Sequence, residues 1–163
     1  LPHLTPMGTA HMVSIADKAI TKRTAIAQAR VCFTNPETVG MIKAKAMKKG
    51  DVLSVARIAG IMAAKRCPDL IPLAHPINLT HVSVDLQLAN SRSAPSQGTP
   101  WAGCVNIQST VECTGKTGVE MEALTAVSAT ALTVIDMCKA VDKGAYIALA
   151  RVVFKDGGRS GKY

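Results

Sequence analysis

Between Gly118 and Val141 the only charged side chains are Glu120, Glu122, Asp136 and Lys139, in a run built mainly of Ala, Leu, Val and Thr. Burying an unpaired charge costs several kcal/mol, so each must find a partner. On a helix Lys139 lies one turn from Asp136. The two form either a plain ion pair or, in a dry pocket, an acid/base pair whose lysine titrates near the working pH. Glu122 and Asp136 fall within about 40° of each other around the axis, but at about 1.5 Å rise per residue they stand about 21 Å apart along it. One helix cannot aim both at one reacting centre. Either they grip opposite ends of a long ligand such as a nucleoside triphosphate, or a second subunit completes the pocket.

Three basic side chains join this set. His75 sits between Ala74 and Pro76 in CPDLIPLAHPI, residues 67–77. The prolines there make a stiff, irregular loop that can hold an imidazole toward a ligand, the alternative being a histidine satisfied within the core. Lys49 precedes Asp51, a candidate helix N-cap, and could reach a phosphate, although surface lysines are commonly only solvated. Arg23 ends a basic run, Lys18, Lys22, Arg23, and its planar fork suits phosphate. Gly115-Lys116-Thr117 mimics a phosphate-binding loop, but that motif needs glycine where this chain has Thr110. The tripeptide still fits a tight turn whose N–H groups face an anion at a helix start.

The elements that position these residues are legible in the pattern. Thr, Val, Ile and Ala enrichment predicts one or two strands over 11–15 and 19–33. Asn35-Pro36 starts a helix over about 36–48, and Asp51 caps a second helix to about Arg66 with Val52, Val55, Ala56, Ala59 and Met62 on its apolar face. Alternation predicts strands at 79–88 and 101–113, paired antiparallel across a polar loop at 90–100. An almost wholly apolar helix, covered on more than one side, is predicted over 118–141, and a last strand over 145–154. Helices on one face of an antiparallel sheet make an α+β sandwich.

The 163 residues are 48% hydrophobic and 18% charged, with mean hydropathy +0.20. Such a chain is too apolar for disorder and long enough for one domain, residues 1–163, with 1–10 and 156–163 as loose ends. Its apolar excess points to surface buried between subunits. Nineteen Lys and Arg against eleven Asp and Glu give net charge +8, which favours an anionic partner. With aromatics at 3%, the stacking platforms of single-strand nucleic-acid binders are nearly absent, so a small phosphorylated ligand is preferred. Cys32, Cys67, Cys104, Cys113 and Cys138 form no C-x-x-C pair, so they read as buried free thiols in a reducing compartment, and no metal site is expected. No apolar run is read as a membrane span. The chain starts at Leu1, as a processed or trimmed product would.

AHMVSI (10–15), KGD (49–51), ARIAGIMAAKR (56–66), DLIPLAHP (69–76), TGKTGVEMEALTA (114–126) and DMCKAV (136–141) together resemble the molybdenum cofactor biosynthesis protein C family, the cyclic pyranopterin monophosphate synthases. The resemblance spans nearly the whole chain in order. It implies a ferredoxin-like α+β fold, a hexamer of three dimers with active sites at subunit interfaces, and no cofactor. The implied reaction converts (8S)-3′,8-cyclo-7,8-dihydroguanosine 5′-triphosphate to cyclic pyranopterin monophosphate with loss of pyrophosphate. The residues it implies are Asp136, Lys139 and Lys49 as catalytic, and Leu73, Ala74, His75, Met121 and Glu122 as substrate contacts, followed by Glu120 and Arg23. It implies neither nucleic-acid nor membrane partners, and a cytoplasmic location, or the mitochondrial matrix for a eukaryotic source. Many members carry cysteine at the position of Ala74, which is therefore expected to act through its backbone. The 90–100 segment is longer than the turn common in bacterial members.

Two rival readings remain at this level. A basic nucleic-acid-binding module predicts steep salt dependence of binding, whereas the enzyme predicts binding of guanosine-type triphosphates. A non-catalytic homologue is disfavoured by the retained Asp136, Lys139 and Lys49.

Overall fold

The computed structural model describes residues 4–90, 102–158 and 161–163. In chain order the elements are β1 (Thr21–Phe33), α1 (Glu37–Lys43), α2 (Val52–Lys65), the short α3 (Cys67–Leu70), β2 (Leu79–Asn90), β3 (Gly103–Gly115), α4 (Glu120–Cys138) and β4 (Tyr146–Asp156). The four strands form one sheet in the order β2-β3-β1-β4, and every neighbouring pair is antiparallel. β3 lies between β1 and β2, while β1 lies between β3 and β4. Two β-α-β units are thus interlocked, the ferredoxin-like arrangement, with the helices on one face.

Side-chain alternation decides which face that is. Ala25, Ala27, Ala29 and Val31 of β1 and Val105, Ile107, Ser109, Val111 and Cys113 of β3 are buried beneath α4. Burying this apolar set contributes about 25 cal/mol per Å², the main stabilisation of the fold. The intervening residues make a polar ladder on the open face. Gln28 Nε2 donates to Gln108 Oε1 and Arg30 Nε to Asn106 Oδ1, both at 2.8 Å. Lys22 belongs to this ladder, 3.1 Å from Glu112, and so parts from Arg23.

α2 departs from expectation in the face it buries. Val52, Ala56, Gly60 and Ala64 turn inward, while Val55, Ile58 and Met62 are 47%, 60% and 40% exposed. Close approach decides this: a Cβ at Gly60 would collide with Thr130 Oγ1 and the Ala126 carbonyl of α4. Small residues at i, i+4 spacing let the helices touch, and bulkier ones are displaced outward.

Other boundaries shift for local reasons. Residues 11–15 form no strand. α1 ends at Lys43 because Lys45 turns left-handed at φ 53°. Asn35 stands outside α1 and accepts from Glu37 N at 2.9 Å. Asp51 caps α2 as expected, accepting from Ser54 N at 3.1 Å. The proline loop starts with a helical turn, since Pro68 falls where a helix lacks hydrogen-bonded N–H groups. The 90–100 loop lies outside the described residues apart from Asn90. Leu4 bridges Ala10 across a turn, and Lys155 exchanges backbone hydrogen bonds with Tyr163.

By length and composition α4 is the one described helix that could cross a membrane, yet it is the helix that covers the sheet. All five cysteines are buried and unpaired.

Candidate active site

The charged residues gather at the two ends of α4. At its C-terminal end, Lys139 Nζ lies 2.6 Å from Asp136 Oδ1, and Lys49 Nζ lies 2.5 Å from Asp136 Oδ2. Lys49 reaches this position from the loop between α1 and α2. That loop turns at Lys45 and Gly50 (φ 92°) and is pinned by Lys45 on Asp51 at 2.8 Å. The hydrogen bonds from Lys139 and then Lys49 hold the Asp136 carboxyl down at about 2. The trio is not the dry pocket expected of an acid/base pair within one chain: Asp136, Lys49 and Lys139 are 52%, 48% and 61% exposed.

Asp142 anchors this end of the helix. Its buried carboxylate accepts from Thr34 N (2.7 Å), Thr34 Oγ1 (2.6 Å), Asn35 N (3.0 Å) and Gly144 N (3.0 Å). Burial pushes its pKa up, but these donors together outweigh that and hold it below the usual carboxylate range.

At the other end, Glu122 is 3% exposed. Burial, reinforced by the charge of Glu120, raises its pKa, while the Cys67 thiol and His75 offset part of the rise. α3 is tied beneath it by Thr125 Oγ1, which donates to Cys67 Sγ at 3.7 Å. Glu120 lies 3.4 Å from Lys155, its carboxylate folded over Gly118, where a Cβ would strike it. His75 donates from Nε2 to the Val13 carbonyl at 2.7 Å, and so braces the segment before β1. Leu73 and Met121 are each 39% exposed, and Ala74 is half-buried beside His75.

A cavity of about 990 Å³ opens beside this end, between the segment before β1, the turn into α4 and the end of β4. Arg23, Glu120, Lys18, Lys116, Lys155 and Gly158 are among its lining residues. Among the described residues, Arg23 Nε and Thr21 Oγ1 are buried there without a hydrogen-bond partner. Arg23 packs where a Cβ on Gly157 or Gly158 would stand, and both glycines have positive φ (97° and 77°).

The sequence-derived residues therefore form two groups. Arg23, His75, Glu120 and Glu122 lie toward the start of α4, with Leu73, Ala74 and Met121 alongside. Asp136, Lys139 and Lys49 lie at its end, about 24 Å further along the helix. Lys155 and Gly157-Gly158 went unnoticed as site residues. Their only sequence signal is a basic, glycine-rich stretch after the last strand, a pattern that ordinarily marks a loose end. Among the described residues, no three His, Cys, Asp or Glu side chains cluster to hold a metal ion.

A ferredoxin-like α+β scaffold with acidic and basic side chains lining a cavity of about 990 Å³ at one end of its long helix is the setting of a small-molecule enzyme. The chain belongs to the MoaC family, whose family model matches residues 12–158. It is 52% identical over its whole length to the cyclic pyranopterin monophosphate synthase of Chloroflexus aurantiacus, covering 93% of that protein. It is 53% identical to the synthase of the same name from Roseiflexus sp., covering 96%, and 50% identical to that of Streptomyces avermitilis, covering 88%.

Proposed function

We propose that this chain is a single-domain enzyme that forms cyclic pyranopterin monophosphate and releases pyrophosphate, an early step of molybdenum cofactor biosynthesis. The substrate is (8S)-3′,8-cyclo-7,8-dihydroguanosine 5′-triphosphate, which makes the enzyme a phosphorus–oxygen lyase. The observation that carries this reading is one carboxylate, Asp136, held between two ammonium groups, Lys49 and Lys139, in a chain half identical to such synthases. An ionised carboxylate accepts a proton, while adjacent ammonium groups donate one and neutralise phosphate charge.

Glu120 and Glu122 bind the guanine-derived ring, whose N–H edge a carboxyl group can accept, and Leu73, Ala74, His75 and Met121 complete its surroundings. Arg23 and Lys49 hold phosphates. Asp136 and Lys139 move protons as the purine ring opens and recloses to a pterin. The α-phosphate closes onto a ribose oxygen, and its bond to the β-phosphate oxygen breaks, so pyrophosphate carries away the electron pair.

Because about 24 Å of helix separates the two groups, the Asp136 end of one subunit meets the Glu120 end of another. Exposed Val55, Ile58 and Met62 on α2 and Leu132 on α4 support such burial between copies, in a hexamer of three dimers. Five unpaired thiols support a reducing, cytoplasmic setting.

Incubating the full chain with the cyclised triphosphate tests the reading. Pyrophosphate is expected to appear in equal amount with a pterin that fluoresces after oxidation. A preparation that binds the triphosphate but yields neither product refutes it.

A further inference from the structure

Lys116, in the tripeptide that mimics a phosphate-binding loop, has a different use: its ammonium donates to the Ala16 carbonyl. His75 donates to the carbonyl of Val13 on the same segment. Two basic side chains, from a turn and from the proline loop, thus hold residues 13–16 from outside. The segment makes no strand and no helix, so its course depends on such ties.

The ties have a consequence at the cavity. Ser14, Asp17 and Lys18 line it across from Arg23. Arg23, which lines the cavity, carries a fixed positive charge beneath Gly157 and Gly158, and among the described residues its Nε has no acceptor. A phosphate in the cavity gains charge-assisted bonds from the part of the guanidinium that faces it. The start of α4, which no side chain among the described residues caps, opens on the same space and adds a favourable dipole. Asp17, Glu120 and Asp156 lie in the lining too, so the wall is only mildly cationic and suits a short phosphate chain better than a nucleic-acid backbone.

We propose that residues 13–18 are a built wall of the substrate site, in which Lys18 binds the phosphate chain and Lys116 is a positioning residue that holds the wall in place. The proposal rests on the reading of the chain as a synthase acting on a triphosphate. It adds two lysines and the segment between them to that site.

Inorganic pyrophosphate is the probe, titrated calorimetrically into the full-length protein and into its Lys18→Gln, Lys116→Met and Lys116→Arg variants. Amide hydrogen exchange of residues 13–18 and steady-state kinetics are measured alongside. Lys18→Gln is expected to weaken pyrophosphate about tenfold and raise KM more than it lowers kcat, with exchange unchanged. Lys116→Met is expected to weaken binding similarly but to speed exchange in 13–18, and Lys116→Arg, which retains a donor, is expected to restore both. Pyrophosphate affinity unchanged in both Lys18→Gln and Lys116→Met overturns the proposal. So does a Lys18→Gln variant that loses kcat alone. Normal turnover beside unaltered pyrophosphate binding sinks the wall and spares the synthase reading. The expected binding pattern in a protein without turnover supports the wall and sinks the synthase.

Discussion

Lys49 places its ammonium 2.5 Å from Oδ2 of Asp136, across 87 positions of sequence, and so joins the loop before α2 to the last turn of α4. Lys139 holds the other oxygen at 2.6 Å, which leaves the carboxylate clamped on both sides. A carboxylate in this position stays charged wherever the enzyme works, and its two cations are oriented before substrate arrives. On the proposed reading, orientation of this kind contributes to catalysis because reacting groups need not be ordered during the reaction.

With its carboxyl held at about 2, Asp136 remains ionised until the pH falls close to that value. On the proposed reading, an acid limb of kcat/KM, which reports free-enzyme groups, in the ordinary carboxylate range belongs to a group other than Asp136. Asp136→Asn and Lys139→Met are each expected to lower kcat by about 10²–10⁴ while far-UV circular dichroism and assembly stay unchanged. Near-normal turnover in either variant removes the catalytic assignment.

Glu122 behaves oppositely, since burial raises its pKa above the ordinary carboxylate range. The folded state then holds this proton more tightly than the unfolded chain. Stability is lost as the pH rises from the unfolded value through the raised folded one. Glu122→Gln, which cannot ionise, is expected to flatten that decline. Its Tm near about pH 8 should equal or exceed that of the unmodified chain, with the gap closing near about pH 4. A variant whose Tm deficit grows toward alkaline pH contradicts the assignment.

Asp142 ties the start of α1 to the end of α4 with bonds of 2.6–3.0 Å. Asp142→Ala leaves those donors unsatisfied and is expected to cost about 3 kcal/mol. That corresponds to a fall in Tm on the order of 10 °C. Because the folded pKa is depressed, the ionised carboxylate stabilises above the ordinary carboxylate range, and this contribution is lost as the pH falls through the folded value. The difference between the two proteins should narrow in strong acid. Thermal melts across the pH range check both parts.

Alternation along residues 82–88 and 105–111, the cap at Asp51 and the apolar length of α4 were legible before any coordinates. Each is a short-range pattern that depends on the geometry of one element. The buried face of α2 was not legible. Hydropathy alone favours Val55 and Met62, yet a neighbouring helix accepts the small residue Gly60 at its closest point and turns the larger ones outward. The bare residue pattern likewise offered Asp136 and Lys139 as a pair, with nothing to show that a lysine from a distant loop completes it.

Residue order along the chain established most of the element types, the excess of positive charge and, through motifs in DMCKAV and TGVEMEALTA, which side chains to watch. Three-dimensional packing alone decided that Lys49 meets Asp136, that Arg23 lodges against Gly158, and that Lys116 reaches Ala16 across 100 positions. The physical reason is range. Helix and strand periodicity arise from neighbours a few residues apart, whereas a site brings together groups whose separation in sequence says nothing about their distance in space.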